Sequence, residues 1–150
     1  MTQQITVSQD EKVLAGLAHG SIILGAVTSG IGGIVAALVI WLTQKDKSSY
    51  TAYQALQALV YQVAVTLVTF VAWCCWGLLW MAMFLPQIMS NPEAYQNTPP
   101  SGMWIGLFLI VIPLAIWGVT LLYGLWGAVR CLGGHDFEYI VVGKWLASNK

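Results

Sequence analysis

The sequence predicts an all-α integral membrane protein, a four-helix transmembrane bundle with a short first helical hairpin and a surface-lying C-terminal segment. Three observations lead there. Only 8% of the 150 residues are charged while 58% are hydrophobic, and a soluble domain carries about 25% charged residues to cover its surface. The charges gather in short polar stretches, leaving uncharged runs from Lys12 to Lys45 and from Lys47 to Glu93, long enough to supply helices for a hydrocarbon core roughly 30 Å thick. Eight tryptophans and fifteen glycines suit interfacial aromatic belts and close helix packing. The length fits one domain.

The first helix is predicted over residues 9–27. Ser8 and Glu11 stand at capping-box spacing, a hydroxyl and a carboxylate that satisfy each other's free backbone amides. Thr28-Ser29-Gly30-Ile31-Gly32-Gly33 breaks the run, because glycine costs about 1 kcal/mol in a helix interior, and a second, short helix follows over 33–44. Lys45 to Ser49 is a polar connector. A long helix then runs over 49–85. Its first part sets Tyr50, Tyr53, Gln54, Gln57, Tyr61 and Gln62 at three- and four-residue intervals, one polar but uncharged face. Four prolines, Pro86, Pro92, Pro99 and Pro100, make 86–102 an extracytoplasmic loop. The last span is 103–130, kinked at Pro113. The tail, 131–150, alternates charged with bulky apolar residues and is expected along the membrane surface. The polar first dozen residues lack the pattern of a cleaved signal peptide, so the mature protein is expected to keep them.

Lys45, Lys47, Arg130 and Lys144 mark one side and the loop over 86–102 has no basic residue. The retention of Lys and Arg on the cytoplasmic side therefore predicts four crossings of a bacterial inner membrane with both termini cytoplasmic. A single kinked crossing over 13–44 is the alternative, and it would place the amino terminus outside.

Zero net charge and no basic stripe argue against a nucleic-acid partner. No Ser/His/Asp set, paired carboxylates, phosphate-binding loop or metal-ligand spacing occurs, so neither a catalytic nor a metal site is predicted. His19 is the one ionisable group within an uncharged run and the one candidate cofactor ligand, set against a plain structural contact. No cofactor is required, with lipid or pigment contact left open. His135 is expected at the surface, and Cys74 and Cys75 are expected as buried, inert packing residues. Gly16-xxx-Gly20, Gly102-xxx-Gly106 and Gly124-xxx-Ala128 are candidate surfaces for helix packing or partner binding. So is the face of Gln54, Gln57, Tyr61 and Gln62, since an amide in lipid needs a partner.

Several pieces resemble, in order, one family. They are Asp10 to His19, Val39-Ile40-Trp41-Leu42 followed by Lys45-Asp46-Lys47-Ser48, Gln54 to Leu59, and Phe137, Tyr139 and Gly143. The chain resembles the Tic20-like (DUF4870-type) small bacterial membrane proteins, relatives of a subunit of the chloroplast inner-envelope import translocon. It departs from them at Ala37 and Ile140, where relatives often carry proline. The resemblance implies a four-helix membrane fold with cytoplasmic termini.

Two functions follow as expectations. One is a non-enzymatic accessory or scaffold subunit packed against a larger membrane complex, with the bilayer and other membrane proteins or further copies of itself as partners. The other is an oligomeric component of a transport or protein-translocation pathway, its polar Gln54 to Gln62 face lining the path.

Overall fold

The computed structural model describes residues 7–148. The amino-terminal stretch as far as residue 6 and the last two residues of the tail lie outside them. Among the described residues every regular element is helical: α1 (Gln9–Gly20), α2 (Ile22–Val27), α3 (Ile31–Gln44), α4 (Ser49–Ser90), a 3-10 turn (Pro92–Tyr95), α5 (Ser101–Leu109), α6 (Val111–Leu132) and α7 (Val142–Ser148). The chain forms two compact units. The first combines residues up to Thr66 with those from Thr120 onward, and the second is Leu67–Val119.

Two segments are long and apolar enough to cross a membrane, Ser49–Ser90 and Ser101–Leu132, and their most hydrophobic windows are 0% and 11% buried inside the protein. Val71, Leu78, Phe108, Val119 and Leu122 are each more than half exposed. In water such a surface would aggregate, whereas in hydrocarbon it is the ordinary exterior of a spanning helix.

The helix boundaries follow local chemistry. The capping box of Ser8 and Glu11 forms in both directions and starts α1. The helix predicted over 9–27 is interrupted at Ser21, whose hydroxyl turns back to donate to the Ala18 carbonyl, a local bond that competes with helix continuation. The reversal between α2 and α3 needs positive φ at Ser29 and Gly30, and Gly30 meets the Thr66 side chain so closely that no Cβ would fit.

Pro86 does not end α4 as the sequence reading has it. The helix runs on to Ser90, making the connecting loop shorter than 86–102. A proline removes one hydrogen bond, and beyond it the Gln87 side-chain amide donates to the Met83 carbonyl while the Asn91 backbone amide closes on the Gln87 carbonyl. Pro113 acts one turn upstream, where the helix breaks at Ile110. The Ile110 amide turns to the Leu107 and Phe108 carbonyls, and the indole of Trp76 donates to the Gly106 carbonyl at 2.9 Å. Trp80 likewise reaches the Met103 carbonyl. Polar backbone opened by a break in hydrocarbon is thus met by a side chain.

Most of the tail is exposed, but two of its side chains turn inward. Gly134, at φ 74°, ends α6 in a Schellman turn, with the Gly134 amide on the Cys131 carbonyl and the His135 amide on the Arg130 carbonyl. The chain then folds back so that Phe137 and Tyr139 are 6% and 2% exposed. Phe137 and Tyr139 are apolar enough that the first unit buries them in its own core. His135 is exposed. Cys74 and Cys75 are exposed as well, contrary to their expected burial, because they fall on the outward face of α4.

Gly106 packs against the Trp80 ring and leaves no room for a Cβ, while Gly118 has nothing within 4 Å. Gly106→Val should therefore destabilise the protein by about 1–3 kcal/mol through overpacking, seen as a lower melting temperature by circular dichroism in mild detergent. Gly118→Ala should leave melting unchanged or slightly raised, and equal effects at the two sites would show that Gly106 is not a packing position.

Candidate functional site

The spacing of Gln54, Gln57, Tyr61 and Gln62 puts them on one face of α4, and that face is turned inward at 2%, 0%, 7% and 2% exposure. Alanines clear the space around it. Ala15 and Ala18 of α1, Ala37 of α3, and Ala55 and Ala58 of α4 are all fully buried, allowing backbones to approach closely enough for side-chain hydrogen bonds between helices.

His19 is the hub. Its Nε2 lies 3.0 Å from Gln54 Oε1 and its Nδ1 2.9 Å from the Tyr139 hydroxyl. An amide oxygen only accepts, so Nε2 carries the hydrogen and Nδ1 accepts from the phenol. The Cys131 thiol also donates to Gln54 Oε1. One neutral imidazole thereby joins α1, α4 and the tail, and its ring meets Phe137 edge to face at 5.4 Å. Gly127 of α6 makes room, since a Cβ there would meet both Phe137 and His19.

Gln57 grips the tail by its backbone. Its Nε2 donates to the Phe137 carbonyl and its Oε1 accepts from the Tyr139 amide, each at 3.3 Å. These are the two bonds that a neighbouring strand would make to an extended segment. Tyr61 stacks on Tyr139 at 3.9 Å and donates to the Thr120 carbonyl of α6. Tyr123 stands edge-on to both tyrosines and accepts from the Ile140 amide. Burial first, then the neighbouring Tyr61 hydroxyl, push the Tyr139 phenol well above its ordinary value, so it remains a donor.

Gln62 fixes the hairpin by donating to the Ala18 carbonyl and the Ser21 hydroxyl, and Ser21 also donates to the Gly33 carbonyl. Gln62 Oε1 has no hydrogen-bond partner; it lies against Gly33, where no Cβ would fit. At the start of α1, Glu11 receives the Ser48 hydroxyl as well as the Ser8 amide. The Ser48 hydrogen bond first, and then those of Ser8, hold the Glu11 carboxyl below its ordinary value.

The three glycine motifs pack within the protein's own units. Gly16 meets Leu132, Gly20 meets Ala128, and Gly124 meets Ile22, all in the first unit. In the second, Gly102 meets the Met83 carbonyl and Gly106 meets Trp80. Both nitrogens of His19 are engaged within the protein. Among the described residues no three His, Cys, Asp or Glu side chains gather as a metal set. The second unit holds an apolar cleft of about 230 Å³ between Trp76, Trp80, Pro113 and Ile116.

Sequence reasoning missed Phe137, Tyr139, Tyr123, Ser21 and Cys131 as parts of this network. The signal was present in the tail, where Asp136 and Glu138 alternate with Phe137 and Tyr139 after a glycine pair. That is the period of an extended, half-buried segment.

Fold and site together define a class: a helical protein with two helices able to span a membrane, its interior tied by uncharged hydrogen bonds. A family model matches residues 10–146, that of the magnetosome magnetite crystal formation protein family, MamF/MmsF. The chain belongs to this family. The match corrects the resemblance to Tic20-like proteins, since one family model spans every segment that carried that resemblance. No curated protein and no solved structure matches the chain.

Two tests bear on the network. Tyr139→Phe and His19→Leu should each cost about 1–3 kcal/mol by leaving a buried polar group unpaired. Their double variant should cost less than the sum by roughly 0.5–2 kcal/mol in a denaturation cycle; strict additivity would show that the bond contributes nothing. For Glu11 the folded pKa lies below the ordinary 4.5, so its contribution is present above that pH and is lost as the pH falls through the folded value. Melting temperature measured across the acid range should fall less steeply for Glu11→Gln than for the unaltered chain, and parallel curves would remove Glu11 from the account.

Proposed function

We propose that this chain is a non-enzymatic integral protein of the magnetosome membrane, an accessory or scaffold subunit of magnetite crystal formation. The observation that carries the reading is the closure of its interior. His19 and Gln57 spend both of their polar side-chain atoms on the protein's own helices and tail, as do the Gln54 side-chain oxygen and the Tyr61 hydroxyl. An enzyme instead needs a nucleophile, a base and space for substrate in one place. The exposed carboxylates Asp10, Asp46, Glu93, Asp136 and Glu138 are scattered along the chain in polar ends and loops, where solvation accounts for them. Membership of the family supplies the compartment and the process.

The same closure weighs against a transport path through this bundle. The Gln54 to Gln62 face, which such a path needs open, is buried. The distribution of Lys12, Lys45, Lys47, Arg130 and Lys144 supports four crossings with both termini cytoplasmic. The bilayer is then the first partner, and neighbouring membrane proteins or further copies meet the exposed apolar helix faces.

In a magnetosome-forming host, deletion should alter the size or shape of the crystals while membrane compartments still form, as seen by electron microscopy. Complementation by a destabilised variant such as His19→Leu should restore crystals in proportion to the protein retained in the magnetosome membrane. Unchanged crystals on deletion, or a variant that is fully abundant yet inactive, would overturn the scaffold reading.

A further inference from the structure

The tail segment around Phe137 and Tyr139 sits in the first unit as a bound peptide sits in a recognition groove. It is the one buried stretch among the described residues that is not helical, so its backbone is satisfied by the groove instead of by itself. Gln57 holds the main chain at two points, Tyr123 holds the Ile140 amide, and Tyr53 donates to the Glu138 carboxylate at 3.2 Å. Two aromatic plugs enter beneath, one of them fixed by His19. This is recognition of an extended strand by backbone contacts and alternate side-chain pockets. What keeps the tail on its own groove is the return turn, Gly133-Gly134, with Gly134 at φ 74° and the exposed His135 and Asp136 beyond it.

We infer that this groove also accepts the same segment from a second copy of the chain, so that copies exchange tails across Gly133-Gly134. Every second copy carries an identical Phe137-Glu138-Tyr139, which fits by construction. Contacts in the own-chain and exchanged forms are the same, leaving the turn and the local concentration to set the balance. Copies confined to one bilayer meet at a far higher effective concentration than copies in solution. The inference does not depend on the role in crystal formation.

The geometry makes an opposite-signed prediction for two changes. Gly134→Ala places a Cβ at positive φ and against the Lys12 side chain, penalising only the return turn. It should raise the exchanged fraction roughly five- to thirtyfold. Tyr139→Ala empties the groove in both forms and should lower it.

The decisive experiment leaves the buried core intact. Differently tagged full-length copies, one carrying Tyr53→Cys and the other Glu138→Cys, are co-expressed in a background with the exposed Cys74 and Cys75 replaced by serine. Membranes are treated with a short thiol cross-linker, with singly expressed copies as background. Exchange predicts a linked dimer bearing both tags, above either background, strengthened by Gly134→Ala and weakened by Tyr139→Ala. A single chain bearing both cysteines reports the own-chain form. If that chain links only within itself, if the mixed pair gives no dimer above background, or if Gly134→Ala leaves the mixed dimer unchanged, the tail stays on its own groove and the inference is wrong.

Discussion

A polar side chain buried among packed helices has no water to fall back on, and this constraint governs the first unit. Apolar contact does little to drive helices together in a bilayer, because lipid tails are as apolar as leucine. Close backbone approach and hydrogen bonds between helices must supply the difference, each bond contributing about 0.6–2 kcal/mol. Here the two act jointly. Ala15, Ala18, Ala37, Ala55 and Ala58 bring the backbones together, and His19, Gln54, Gln57 and Gln62 then reach across with short, directed bonds. Leucine in place of any of those alanines would fill the space that the bonds need.

The network is also uncharged throughout. A single ionised group in that interior would require a buried counter-ion or a water-filled cavity, and the side chains packed on His19 are an amide, a phenol and a phenyl ring. Glutamine and tyrosine serve better than glutamate and lysine because each both donates and accepts without ionising. The second unit meets the same constraint differently. It contains one charged residue, Glu93, and its polar demand arises from the backbone opened at Ile110. Indole N–H groups answer it, and an aromatic ladder of Trp73, Trp76, Trp80 and Phe84 holds them in place.

Features decided within one turn of helix could be read from the sequence, and features decided by tertiary partners could not. The Ser8–Glu11 capping box, the break near Gly30 and the disturbance caused by Pro113 depend on local sterics and free amides. Pro86 misled because a proline removes a single hydrogen bond and the helix can continue past it, as it does here to Ser90. The inward face of Gln54 to Gln62 was visible as a pattern, but its partners lie 35 to 82 residues away along the chain, beyond the reach of periodicity. Phe137 and Tyr139 were read as surface anchors because alternating charge and aromatic character suits an interface as well as an extended plug. Only the groove beneath them distinguishes the two. The exposure of Cys74 and Cys75 has the same origin, since an apolar run does not reveal which of its faces meets lipid.

A closed interior also shapes how the chain can contribute to mineral growth. With His19, Gln54 Oε1 and Gln57 committed to its own fold, an ion entering the core would have to displace bonds whose loss strands a buried polar group, at about 1–3 kcal/mol for each. The interior is thus committed to holding the fold, and the exposed helix faces, loops and ends are the surfaces open to contact. On that argument substitutions should separate by location. Those in the network should act through the amount of folded protein, while those on the exterior should leave that amount unchanged.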